Sequence, residues 1–82
     1  LINMEVKRKP KIESIPKIMA VIKEVEGKLG NRGRVLVRYS GTQNLCRIMV
    51  EGPTKEETEK YCRQIAEVVR STLSQHNNTS EA

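Results

Sequence analysis

Apolar and polar residues alternate in three short stretches of this chain, and the alternation predicts three β-strands. The first stretch places Ile2, Met4 and Val6 on one side and polar residues on the other. The second runs from residue 34 to 37 and the third from residue 45 to 50. Because successive side chains of a strand point to opposite faces, each stretch should bury one face and expose the other.

Apolar residues at helical spacing predict two helices. The first should begin near Pro16, which suits a first helical turn, with Ser14 as a candidate cap, and should end at Gly30. The second should begin at Thr54, whose side chain forms a capping box with Glu57. The apolar positions are Ile18, Val21, Ile22, Val25 and Leu29 in the first helix, and Tyr61, Cys62, Ile65, Val68, Val69 and Leu73 in the second.

The predicted order is therefore strand, helix, strand, strand, helix. Each helix has one apolar stripe, so both should pack on one face of a small, mostly antiparallel sheet, an α+β two-layer sandwich. We expect one domain over residues 1–73 and a flexible polar tail over residues 74–82. Val35, Val37, Cys46, Ile48 and Val50 should face the helices, and Leu36, Arg38, Arg47 and Met49 should lie on the opposite face, which is partly solvated or covered by something outside this chain.

The second and third strands are joined by a polar loop, Ser40–Asn44, made of residue types common in tight turns. Antiparallel pairing centred on this loop places Arg34 opposite Glu51, a favourable pair of charges. It also places Arg38 opposite Arg47, and directly opposed like charges destabilise a sheet. Such a pair at the mouth of the loop suggests a hairpin that holds an anion between two guanidinium groups.

The groups around this loop suit a phosphate. Two arginine side chains can bind its oxygens bidentately. The hydroxyls of Ser40 and Thr42 can donate to the remaining oxygens, and Gly41 lets backbone N–H groups approach closely. The candidate binding residues are therefore Arg38, Ser40, Gly41, Thr42 and Arg47. The alternative is an ordinary hairpin with two solvated arginines, and the spacing alone does not decide between the two.

The stretch R-Y-S-G-T-Q-N-L-C-R, followed by I-M-V-E-G, resembles the phosphate-binding loop in the C-terminal domain of the α-D-phosphohexomutase superfamily. Within that superfamily it is most similar to the phosphoglucosamine mutases, and the resemblance extends from about residue 2 to residue 73. Gln43 and Asn44 stand where the family usually has Glu and Pro, so the preference among phosphohexoses stays open. The matching residues are Gly33, Arg34, Val35, Leu36, Arg38, Ser40, Gly41, Thr42, Arg47, Met49, Val50, Glu51 and Gly52.

The resemblance implies a fold similar to that of the TATA-binding protein, and a role in binding the phosphate group that is held and not transferred. It also implies a parent enzyme that interconverts glucosamine 6-phosphate and glucosamine 1-phosphate through a phosphoserine and a Mg²⁺ ion. In the family these lie in other domains, and no matching motif occurs here. The expected partners are a phosphosugar and the remaining domains of the parent, and we expect no catalysis by this chain alone. Its opening on Leu1 also suggests a piece of a longer protein.

The composition of the chain argues for some classes of function and against others. The net charge of +5 fits an anionic partner, while Tyr39 and Tyr61, the only aromatic residues, argue against modules that stack nucleic-acid bases. Without aspartate, and with its one histidine, His76, in the polar tail, the chain lacks the parts of a metal site or a Ser/His/Asp apparatus. Cys46 and Cys62 should be buried thiols of a reducing compartment. We expect a cytoplasmic protein, since no membrane-spanning stretch or secretory leader is visible.

Two other functions compete with phosphosugar binding. A small nucleic-acid-binding module is supported by the charge and by the G-x-x-G spacing of Gly30–Gly33, although the strand that follows favours a simple turn. A structural docking domain would instead use the second face of the sheet. The basic cluster over residues 7–11 is interpreted as a solvated loop, with attraction of an anionic ligand as the alternative.

Overall fold

A computed structural model describes residues 1–74 of the chain. Three strands form one sheet in the order β1–β3–β2, and both pairs of neighbouring strands are antiparallel. The elements are β1 (Ile2–Glu5), α1 (Pro16–Leu29), β2 (Arg34–Tyr39), β3 (Leu45–Glu51) and α2 (Lys55–Val69), with short 3₁₀ turns at Ile12–Ser14 and Gly30–Arg32 and a π-helical turn at Arg70–Ser74. The predicted α+β class and order of elements are confirmed.

The core lies between the helices and one face of the sheet. Cys46, Ile48 and Val50 of β3 are buried on this face, as predicted, whereas Leu36 of β2 remains 42% exposed on the other. Burying one Val, Leu or Ile side chain contributes about 1.5–3 kcal/mol, so the core between the helices and the sheet is the main source of stability. The largest fully buried side chains are Ile18, Val25, Leu29, Cys46, Ile48, Ile65, Val69 and Leu73.

The caps predicted for the two helices are confirmed only in part. Thr54 caps α2, because its Oγ1 accepts a hydrogen bond from the backbone N–H of Glu57 at 3.0 Å. The capping box is only half formed, since Glu57 Oε1 is buried without a partner among residues 1–74. Ser14 was the wrong choice of cap for α1: the capping position is Ile15, and the Ser14 hydroxyl donates to the Lys11 carbonyl at 2.7 Å within the preceding 3₁₀ turn.

The G-x-x-G segment is a turn, as predicted. Gly30 ends α1 with a φ of +58°, a conformation that glycine adopts without strain. The Arg32 side chain then folds back and donates to the carbonyls of Lys28 at 2.8 Å and Leu29 at 3.3 Å. These carbonyls lack helical partners, so Arg32 acts as a C-terminal cap.

Gly33 follows this turn at a point where two backbones meet. A Cβ built on Gly33 would overlap the carbonyl oxygen of Glu51 and lie 2.9 Å from its carbonyl carbon. The start of β2 can approach the end of β3 this closely only without a side chain at residue 33.

The predicted tail lies outside the described residues except for Ser74, which ends the last helical turn.

Candidate functional site

Arg38 and Arg47 lie directly opposite each other in the β2–β3 hairpin, as the register predicted. Directly opposed residues of an antiparallel pair share a face, here the face turned away from the helices, where both arginines are exposed. Neither side chain makes an ion pair or hydrogen bond with another residue of the range 1–74. The hairpin thus presents two adjacent cations without an anion between them in the described part of the chain.

The third arginine of the hairpin shows the contrast. Arg34 lies opposite Glu51, and its Nε and Nη2 donate to the two carboxylate oxygens at 3.0 and 3.4 Å. The same sheet therefore neutralises one arginine at one end and leaves a pair of arginines open at the other. This difference points to a ligand at the second end.

A concavity with a volume of about 520 Å³ adjoins Arg38 and Arg47, and we call it the arginine concavity. One side of it is apolar and includes the exposed Leu36 together with Met49. On the sheet, Asn3 of β1 lies beside Arg47. The concavity is lined by Leu1, Leu36, Arg38, Tyr39, Ser40, Gly41, Arg47 and Met49. A cationic pair beside an apolar strip is complementary to an anionic group carried on a less polar skeleton.

Ser40 organises the loop. It is only 6% exposed, its backbone N–H donates to the Leu45 carbonyl at 2.9 Å, and its Oγ accepts from the N–H groups of Thr42 and Gln43 at 3.3 and 3.2 Å. The Oγ can still donate its own proton to a ligand. The prediction that several backbone N–H groups of the loop approach the anion needs correction, however. The N–H groups of Thr42 and Gln43 already donate to Ser40 Oγ.

Gly41 lines the arginine concavity, and its role in binding stays a prediction. It has no positive φ, and a Cβ there would meet no atom within 4 Å, so glycine leaves the backbone bare at the concavity without relieving strain. Thr42 is exposed and does not line the concavity. Its role as a phosphate donor stays a prediction.

Contacts between the basic segment, residues 7–11, and the loop were not predicted from the sequence. Lys9 Nζ donates to the Ser40 carbonyl at 3.0 Å, and the Tyr39 hydroxyl donates to the Pro10 carbonyl. The segment was interpreted as a solvated loop, and its basic residues are indeed exposed, but Lys9 is also bonded to the hairpin loop. A partly buried tyrosine beside a loop was the available signal, because its hydroxyl needs a partner.

Burial affects two ionisable groups of the hairpin. It raises the pKa of the Cys46 thiol above its ordinary value of 9.0. It also raises the pKa of the Tyr39 hydroxyl above 10.0, an effect that Cys46 and Glu13 increase and Arg8 reduces. Cys46 and Cys62 are both free and buried, as predicted.

We expect the free energy of unfolding to fall as the pH rises above about 9. The unfolded chain releases the protons of Cys46 and Tyr39 at a lower pH than the folded chain, since the folded pKa values are raised. Their contribution is therefore complete below pH 9 and is lost as the pH rises through the folded pKa values. Urea unfolding between about pH 8 and pH 11 measures this loss.

The double variant Tyr39→Phe/Cys46→Val is the control for this prediction. Lysines also titrate in this range, so the informative quantity is the difference between the two pH profiles. The double variant should show the flatter profile even if it is less stable overall. Parallel profiles would show that neither group governs the alkaline loss.

No group of three His, Cys, Asp or Glu side chains within residues 1–74 is arranged to hold a metal ion. The residues described therefore do not fit the Mg²⁺ site that the resemblance implies for the parent enzyme. No helix of the same range is long and apolar enough to cross a membrane.

Comparison with known proteins agrees with the resemblance of the loop. The family model described as phosphoglucomutase/phosphomannomutase, C-terminal domain, matches residues 1–68. The phosphoglucosamine mutase of Syntrophus aciditrophicus (strain SB) is 66% identical over 73 residues, and that of Syntrophobacter fumaroxidans is 60% identical over 73 residues, in each case 89% of this chain. The phosphoglucosamine mutase of Listeria monocytogenes is 51% identical over 71 residues, 87% of this chain. The matched region is 16% of the length of each of these relatives.

Proposed function

Because the chain belongs to the phosphoglucomutase/phosphomannomutase family as a C-terminal domain, we propose that its hairpin binds the phosphate group of a phosphosugar. The observation that carries this proposal is the open pair of Arg38 and Arg47 on one exposed face. A phosphate between them would exchange a repulsion for charge-assisted hydrogen bonds, which are about twice as strong as neutral ones. The binding residues proposed are Arg38, Ser40, Gly41, Thr42 and Arg47.

The phosphate held here is the one that is not transferred. Among the described residues, no group of three His, Cys, Asp or Glu side chains is arranged to hold a metal ion, and in this proposal the reacting end of the substrate is bound by other parts of the parent enzyme. Binding energy from a remote phosphate positions the reacting end and favours the transition state. A domain with this task can also close over the substrate and exclude water.

For the parent enzyme we propose the interconversion of glucosamine 6-phosphate and glucosamine 1-phosphate. The relatives reported above carry the name phosphoglucosamine mutase, and the loop resembles theirs. The phosphoserine and the Mg²⁺ ion of that reaction would be supplied by the remaining domains, which are the partners of this one. The free buried thiols fit a reducing compartment such as the cytoplasm.

A titration followed by NMR tests the proposal on this chain. Glucosamine 6-phosphate and inorganic phosphate should both shift the backbone amides of Arg38, Gly41 and Arg47, because all three residues line the arginine concavity. Glucosamine without phosphate should leave them unchanged. Equal effects of the sugar with and without phosphate, or shifts confined to other regions, would contradict the proposal.

Salt dependence separates this function from nucleic-acid binding. A protein that contacts many phosphates of a nucleic acid loses about 10³–10⁵ in affinity between 50 and 200 mM salt. A single phosphate held by two arginines should show a much shallower slope. Tight, steeply salt-dependent binding of an oligonucleotide at the same residues would favour the nucleic-acid alternative.

A further inference from the structure

The basic segment contacts the hairpin loop without itself lining the arginine concavity. Lys9 and Pro10 contact the start of the loop, through the Ser40 carbonyl and the Tyr39 hydroxyl. At the other end of the loop, the Val6 N–H donates to the Asn44 carbonyl at 3.0 Å. None of residues 7–11 lines the concavity.

The basic segment is itself fixed to the helical layer. The backbone N–H of Lys7 donates to the Leu73 carbonyl at 3.2 Å, and the Arg8 side chain donates to the Thr72 carbonyl at 3.4 Å. Leu73 is almost completely buried in the core. The segment therefore connects the loop to a buried part of the fold.

The Lys9 contact has a geometric consequence for the peptide unit between Ser40 and Gly41. In a trans peptide the C=O and the following N–H point in opposite directions, and residues 1–74 contain no cis peptide bond. By drawing the Ser40 carbonyl to its own side, Lys9 turns the Gly41 N–H to the opposite side. Gly41 itself lines the concavity beside the two arginines.

The Gly41 N–H is also a free donor. Ser40 donates to Leu45 and the amides of Thr42 and Gln43 donate to Ser40 Oγ, whereas the Gly41 N–H has no acceptor among the described residues. A backbone donor without a partner beside two exposed cations is suited to an anionic oxygen.

We propose that Lys9 is a positioning residue that directs the Gly41 N–H at a phosphate bound between Arg38 and Arg47. Lys9 acts through the Ser40–Gly41 peptide and does not contact the ligand. This inference rests on the proposed function, and it adds a residue outside the loop to the phosphate-binding apparatus.

The experiment compares Lys9→Met, Lys9→Arg and Lys11→Met in NMR titrations with inorganic phosphate. Lys9→Met should weaken phosphate binding by about 3- to 10-fold, the effect of losing one hydrogen bond, and should reduce the downfield shift of the Gly41 amide proton at saturation. Lys9→Arg keeps a donor and should restore both values. Lys11→Met removes the same charge from an exposed neighbouring lysine and should change the affinity by less than about 2-fold. Thermal unfolding of all three variants should stay close to that of the unmodified chain, as expected for exposed positions.

Each outcome decides the proposal. If the two methionine variants weaken binding equally, and the Gly41 proton shifts as in the unmodified chain, Lys9 contributes only its charge and the inference is wrong. The proposed function would survive that result, since the unmodified chain would still bind phosphate at the arginines. If the unmodified chain shows no shift with phosphate, the proposed function itself fails and the role of Lys9 fails with it.

Discussion

Replacing Arg47 by alanine should weaken phosphosugar binding by about 10- to 150-fold, while the free protein stays folded and becomes slightly more stable. With phosphate bound, the substitution removes a charge-assisted contact of about 1.5–3 kcal/mol. Without ligand it removes the repulsion between Arg38 and Arg47, a cross-strand effect of roughly 0.2–1 kcal/mol. Affinity by NMR titration and stability by urea unfolding should therefore change in opposite directions.

Arg34→Ala is the matched control. Arg34 lies on the same face of the hairpin and is exposed, but its guanidinium is paired with Glu51 and it does not line the concavity. Its loss should lower stability by up to about 1 kcal/mol and leave phosphate affinity nearly unchanged. If Arg47→Ala destabilises the free protein by several kcal/mol, or leaves the affinity unaltered, Arg47 is a structural residue and the binding proposal is wrong.

Gly33→Ala should lower the free energy of unfolding by about 3 kcal/mol, at the upper end of overpacking effects. The added Cβ would overlap the Glu51 backbone carbonyl, and neither backbone can move without opening the end of the β2–β3 ladder. For a domain of this size such a loss lowers the midpoint of thermal unfolding by roughly 12–24 °C. Differential scanning calorimetry measures it directly.

Gly27→Ala tests whether the effect depends on position. Gly27 lies inside α1, where an added Cβ meets no atom within 4 Å, so alanine should stabilise the helix by about 0.8–1 kcal/mol. The two glycine substitutions should therefore have opposite signs. A Gly33→Ala protein as stable as the unmodified chain would show that this end of the sheet adjusts freely.

The local part of the fold could be predicted from the sequence. Alternation in β2 and β3, together with a loop of defined length, sets the register of a hairpin, and one register places Arg38 opposite Arg47. Helical spacing and the Thr54 cap likewise act over a few positions. These predictions were correct because the interactions that decide them lie close together in the chain.

The contacts between distant segments could not be predicted in this way. Lys9 and Ser40 are 31 positions apart, and no spacing rule connects a lysine in a basic cluster with a carbonyl of a loop. The position of β1 beside β3, which brings Asn3 next to Arg47, is equally a result of packing the whole layer. Ser40 Oγ accepts hydrogen bonds from two loop amides, and this role also depends on the folded loop. A serine at this position could equally well donate to a ligand, so the residue type alone does not predict the role.

The order of the strands gives the two arginines different secondary roles. β2 is an edge strand whereas β3 is central, and the unpaired backbone groups of an edge can recruit another chain and start aggregation. Arg38, which has no partner among the described residues, places positive charge on β2 and discourages two copies from joining edge to edge. A substitution of Arg38 would thus reduce solubility as well as ligand binding, whereas Arg47, on the central strand, has no edge to protect.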